Sequence, residues 1–73
     1  MKQVEIFKTS VRKKGDAAKI IKLLLARFPH YKINFDLSDC DNILRIETPY
    51  GEIDEMEIEQ FVTMLGPDCC HLL

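Results

Sequence analysis

The chain has 73 residues, of which 47% are hydrophobic and 30% charged, and its formal net charge is −2. This length predicts one domain, residues 1–73, and a chain so short buries only about 60% of its unfolded surface. The longest apolar stretch, residues 20–26, is far below the roughly 20 residues of a membrane span. No signal-peptide run is present at the N-terminus, and the three cysteines form no disulfide framework, so we expect a reduced, cytoplasmic protein.

Opposite charges are concentrated in the two halves of the chain. Residues 1–32 carry nine of the ten basic side chains, and residues 33–73 carry ten of the twelve acidic ones. Because both halves must share one core in so small a domain, the separation predicts a surface dipole. Such a dipole favours docking onto a charged partner or a second copy of the chain. The isoelectric point of 5.6 argues against nucleic-acid binding.

The first predicted strand covers residues 2–8, where apolar and polar residues alternate. Val4 and Ile6 lie on the side that we expect to face the core. Phe7 lies on the other side, which we expect to be open.

The first predicted helix follows a polar, basic connection, and Asp16 is its expected N-cap. Apolar residues gather on one side of the helix, which ends before Pro29. Leu23 lies on the opposite side, so this large apolar residue is expected to face water.

Two further strands are predicted at residues 31–37 and 43–48, joined by turn-forming residues 38–42. In the third strand, Ile43 falls on the outward side.

The second helix has a capping-box spacing, with Asp54 three residues before Glu57. Its inward side is expected to include Leu65, and Gly66 ends it. Residues 69–73 are predicted to form a short last strand.

The element order β-α-β-β-α-β predicts an α+β, ferredoxin-like fold. In this fold, a four-stranded antiparallel sheet carries both helices on one face, in the arrangement that right-handed crossovers select. The other face of the sheet is left open, and Phe7 and Ile43 are its expected apolar points.

The whole chain resembles the heavy-metal-associated domain family in its element order, in residues 33–37 before the hairpin, in residues 44–47 after it, and in a last strand behind a Gly-ended helix. The resemblance implies a ferredoxin-like fold. Members of this family are small copper and mercury chaperone modules. They hold a soft ion through two cysteines, spaced Cys-x-x-Cys, in the loop between the first strand and the first helix.

The metal-binding pair of that family is missing from this chain. Alignment of the first helix places Lys13 and Asp16 where the cysteines belong, with Val11 at the usual methionine. No cysteine occurs before Cys40. Metal transfer by the family mechanism is therefore not predicted.

A basic cluster, Arg12, Lys13 and Lys14, occupies this loop instead. It precedes a helix N-terminus, where unpaired N–H groups and the helix dipole favour anions. The cluster is either an anion site or docking surface for an acidic partner, or simply a solvated loop.

The C-terminal Cys69, Cys70 and His71 are the only cluster of soft metal ligands. On a strand, Cys69 and His71 point one way and Cys70 the other, so one ion would need further ligands from Cys40, His30 or a second chain. Copper or zinc binding here, shared between chains, is the alternative to structural cysteines.

We therefore expect a protein-interaction module rather than an enzyme, with no cofactor. Its candidate contact residues are the basic cluster together with Leu23, Phe7 and Ile43. The expected partner is a protein, or a second copy of the chain in a homodimer.

Overall fold

The computed structural model of the protein describes residues 3–38, 40 and 42–72. Asp39 and Asp41 of the predicted hairpin turn, and Leu73 of the predicted last strand, lie outside the described residues. In chain order the elements are β1 (Gln3–Thr9), α1 (Lys14–Arg27), β2 (Lys32–Asp36), β3 (Ile43–Thr48), α2 (Glu55–Met64) and β4 (Cys69–Leu72).

The strands form one antiparallel sheet in the order β2-β3-β1-β4. Strands β1 and β3 occupy the centre, and β2 and β4 the edges. This order confirms the predicted ferredoxin-like fold. Neither helix in the described part of the chain has the length and apolar character needed to cross a membrane.

A single hydrophobic core lies between the helices and one face of the sheet. Its members come from both helices and from alternating positions of the strands, which places both helices on the same face. They are Phe7, Val11, Ala17, Ile20, Leu24, Ile33, Leu44, Ile46, Ile53, Ile58 and Val62.

The inward side of β1 is the reverse of the predicted one. Phe7 is fully buried and lies opposite the buried Leu44 of β3, whereas Ile6 is 38% exposed on the open face. The prediction that Val4 and Ile6 face the core and Phe7 faces outward is therefore wrong, and Phe7 is not available to a partner. Ile43 does lie on the open face, where it is partly buried.

Hydrogen bonds explain why polar residues share the inward side of β1 with Phe7. The Gln3 Oε1 atom accepts from the N–H of Ile53 at 2.6 Å. The Thr9 hydroxyl donates to the carbonyl of Asn42 at 2.6 Å and accepts from the N–H of Val11 at 3.2 Å. Buried polar groups are tolerated when they are paired in this way. Hydrophobic alternation alone misleads here, because it assumes that inward residues are apolar.

The two helices begin differently. Lys13 is the N-cap of α1 and no side chain caps it, so the prediction that Asp16 is the N-cap is wrong. Asp16 lies in the first turn, where a negative charge is favourable to the helix dipole. In α2 the predicted cap is confirmed, since the Asp54 carboxylate accepts from the N–H of Glu57 at 3.1 Å.

Phe7→Ala is expected to lower the free energy of unfolding by about 3–5 kcal/mol, because it removes a fully buried ring from the core. Ile6→Ala shortens a half-exposed side chain on the open face and should cost no more than about 1 kcal/mol. Urea denaturation followed by circular dichroism measures both. If Ile6→Ala lowers the free energy of unfolding more than Phe7→Ala does, this orientation of β1 is contradicted.

Candidate functional site

Two loops are held side by side at one end of the domain. The N–H of Ser10, after β1, donates to the carbonyl of Asp68, before β4, at 3.2 Å. In return the N–H of Asp68 donates to the Ser10 hydroxyl oxygen at 2.8 Å. This reciprocal pair fixes the β1–α1 loop against the α2–β4 loop. The β1–α1 loop is the one that holds the ion in the resembled family.

The end of α2 contributes an apolar side chain to the same region. The helix ends at Met64, and the N–H of Leu65 donates to the carbonyl of Val62 at 3.0 Å. Gly66 then adopts a φ of 123°, which favours glycine because it has no side chain. Leu65 is 40% exposed, so the prediction that it lies on the buried side of the helix is wrong. Leu65 is the C-cap of α2, one residue beyond the end of the helix, and its side chain stays open to solvent there.

A groove of about 470 Å³ lies between these two loops and α1. We call it the basic groove. Val11 and Ile20 are buried beneath it, and Leu23 and Leu65 are half-exposed along it. Apolar surface is thus open to solvent inside a concave site. The groove is lined by residues 10–13, 16, 19, 20, 23 and 65–67.

The charged lining of the basic groove is mainly positive. Arg12, Lys13 and Lys19 stand against one acidic residue, Asp16, and all four are exposed. The N-terminus of α1 adds its partial positive charge, and no side chain caps its first N–H groups. The groove therefore suits a ligand that combines anionic groups with an apolar one.

The structure brings together three of the predicted contact residues. Arg12, Lys13 and Leu23 all line the basic groove. Lys14 does not, because one helical residue turns the side chain by about 100°. It lies instead beside a second hollow, between α1 and the C-terminal end of β2. The two remaining predicted residues lie in the core and on the open face, as described above.

Sequence reasoning missed Lys19 and Leu65 as members of the groove. A signal for Lys19 was present, since Asp16, Lys19 and Leu23 follow the i, i+3, i+7 spacing of one helix face. Leu65 gave no such signal, because it continues the apolar side of α2 in the sequence and periodicity therefore predicts that it is buried.

Strand β4 separates the two adjacent cysteines. Cys69 and His71 lie on the inward side and Cys70 on the open face, as strand alternation predicted. Burial, and then the charge of Glu59, raise the pKa of the Cys69 thiol to about 12. The His71 ring meets a carboxylate, with its Nε2 atom 2.7 Å from Glu5 Oε1.

Comparison of the chain with known proteins gave no match among family models, curated proteins or solved structures. The resemblance to heavy-metal-associated domains therefore stays a prediction from element order and strand sequence. The loop that would hold the soft ion carries Arg12 and Lys13, whose side chains repel cations and offer no thiolate. The residues present do not fit a copper site of that family.

At pH 8, iodoacetamide is expected to modify Cys40 and Cys70 well before Cys69. The raised pKa of Cys69 leaves almost no thiolate at this pH, whereas the other two cysteines are exposed. Peptide mass spectrometry of the folded protein measures the three rates, and protein unfolded in urea is the control in which they should converge. Equally fast modification of Cys69 in the folded protein would contradict its placement.

Proposed function

We propose that this protein is an interaction domain that docks an acidic, apolar segment of a partner protein in the basic groove. In this proposal it is a relative of heavy-metal-associated domains without their cysteine pair, and it has neither an enzymatic activity nor a cofactor. The proposal also places it in the reducing cytoplasm, which agrees with the free state of Cys40, Cys69 and Cys70.

The observation that carries the proposal is the presence of apolar surface and basic charge in one concave site. Protein interfaces combine an apolar centre with a polar rim. A partner's apolar side chain would cover Leu23 and Leu65, while its carboxylates pair with Arg12 and Lys13. The groove lining contains no histidine or cysteine, so it lacks the commonest general base and the most reactive nucleophile. These features favour binding over catalysis.

Nucleic acid is a poorer match for this surface than an acidic protein segment. Asp16 stands among the basic side chains of the groove and would repel a phosphate backbone. The open face of the sheet, which binds bases in other folds of this type, shows no aromatic side chain among its described residues. The proposed partner is therefore a protein.

A second copy of the chain is the alternative occupant. The start of α2 carries Glu55 and Glu57 on either side of Met56, which is 66% exposed. This segment lies at the other ends of the helices, where Arg27 of α1 pairs with Glu57 at 2.8 Å. In such docking, the start of α2 in one copy would enter the basic groove of the next copy, so the copies would associate head to tail.

Charge reversal at the groove tests the electrostatic part of the proposal. A fluorescent peptide of alternating Glu and Leu residues should bind, and Arg12→Glu/Lys13→Glu should weaken its binding by at least about tenfold, since two favourable charges become repulsive. Lys22→Glu/Lys32→Glu makes the same change in net charge at exposed residues outside the groove and is the matched control. Fluorescence anisotropy measures both. If both double variants weaken peptide binding equally, the effect comes from the net charge of the protein, and a localised site is contradicted.

Leu23→Ser tests the apolar part of the proposal. It should weaken binding of the same peptide by about three- to tenfold, because it removes apolar area from the groove. Leu25→Ser is a closely matched control, since Leu25 is 38% and Leu23 37% exposed on the same helix, but only Leu23 lines the groove. Anisotropy at equal concentrations gives the comparison, with circular dichroism to confirm folding.

Sedimentation of the unmodified chain distinguishes the two occupants. A monomer that binds the Glu-Leu peptide supports docking of a separate partner. Self-association that is abolished by Arg12→Glu/Lys13→Glu identifies a second copy as the occupant. If the peptide does not bind and the chain stays monomeric, the proposed function is wrong.

A further inference from the structure

We propose that Glu5, Glu55 and His71 form a binding site for a divalent transition-metal cation of the Zn²⁺ type. This site is separate from the basic groove and does not rest on its function. It also differs from a site formed by the two C-terminal thiols, since only His71 is common to both.

The fold brings the three residues together from distant parts of the sequence. Glu5 and His71 lie on the neighbouring strands β1 and β4, on the same inward side as Phe7. The Phe7 and His71 rings lie 5.2 Å apart, which supports the orientation of the imidazole. Glu55 is the first residue of α2 and approaches from the helix layer. One donor atom from each of Glu5, Glu55 and His71 lies within 4.8 Å of the other two.

The distances are close to those of a metal site. Zinc binds imidazole nitrogen and carboxylate oxygen at about 2.0–2.2 Å, which places tetrahedral ligand atoms roughly 3.4 Å apart. The Glu5 Oε1 and His71 Nε2 atoms are 2.7 Å apart and would move slightly outward. The Glu55 carboxylate has a donor atom within 4.8 Å of both, a separation that rotation of its side chain can adjust.

The charges at the site favour a cation. A third carboxylate is adjacent, because Glu59 Oε2 accepts from the backbone N–H of His71 at 2.7 Å. Glu5 and His71 are only 18% and 16% exposed, and Glu55 and Glu59 are partly buried. Among the described residues, neither Glu55 nor Glu59 has an ion pair with a lysine or arginine. Two carboxylates thus lie within reach of the imidazole and a third lies against the backbone of the same residue, so a divalent cation would be attracted to the site.

The donor set indicates which ions fit. Imidazole and carboxylate ligands suit Zn²⁺, Co²⁺ or Mn²⁺, whereas Cu(I) prefers thiolates. Cys69 is close in sequence to His71, but its sulfur is not among the donor atoms that lie together at this site. Three protein ligands leave one tetrahedral position for water or for an anionic group of a partner.

The test uses the full chain with Cys40→Ser/Cys70→Ser, which removes the two exposed thiols. Isothermal titration with ZnCl₂ should show one site per chain. Glu55→Gln in this background should weaken Zn²⁺ binding by at least about tenfold. This variant keeps the Glu5–His71 contact intact. Glu52→Gln removes the same charge just before α2, outside the cluster, and should leave binding within about twofold.

Nuclear magnetic resonance of the imidazole nitrogens identifies the ligand directly. On addition of Zn²⁺, the ring nitrogens of His71 should shift, while those of the exposed His30 should not. Three results would overturn the proposal. These are the absence of Zn²⁺ binding in the cysteine-substituted background, equal binding by Glu55→Gln, and a shift at His30 instead of His71. Each can be obtained whether or not the basic groove binds the Glu-Leu peptide.

Discussion

The inward side of β1 is the constraint on which the rest of the structure depends. This strand lies in the centre of the sheet, and four of its side chains point toward the helices. Phe7 fills the core, Gln3 holds the segment before α2, and Thr9 holds the end of the β2–β3 connection. Glu5 meets His71 of β4. One short strand therefore fixes the positions of a helix, a hairpin and the last strand.

Polar contacts of this kind are specific where hydrophobic contacts are not. An apolar residue can pack against many neighbours, but a buried carboxamide or hydroxyl needs a partner at a defined distance and angle. Gln3 and Thr9 each bond to a backbone group far away in the chain. They stabilise one arrangement of the connecting segments over others. A domain of this size has a small core, so such contacts help to select a single native arrangement of the chain.

The separation of charge along the sequence becomes a separation in space. The N-terminal end of α1 and the adjoining loops carry the basic groove, and the start of α2 carries acidic residues together with the Glu5–Glu55–His71 cluster. The two halves meet at the Arg27–Glu57 pair, which is exposed and contributes little to stability. Opposite ends of the domain are thus suited to opposite ligands. Under the proposed function, this arrangement would orient a charged partner before contact, and salt in solution would weaken that effect.

The amino-acid sequence by itself determined the element order, the ferredoxin-like sheet, the Asp54 cap, the exposure of Leu23 and the alternation of Cys69 and Cys70. These features depend on local periodicity, on capping chemistry and on connection rules. The tertiary structure alone decided which side of β1 faces the core and which residues surround His71. Each of these depends on contacts between residues far apart in the chain. Gln3 is inward because Ile53 offers it an N–H, and Glu55 approaches Glu5 only because α2 packs across the sheet. Local pattern carries no information about such distant partners.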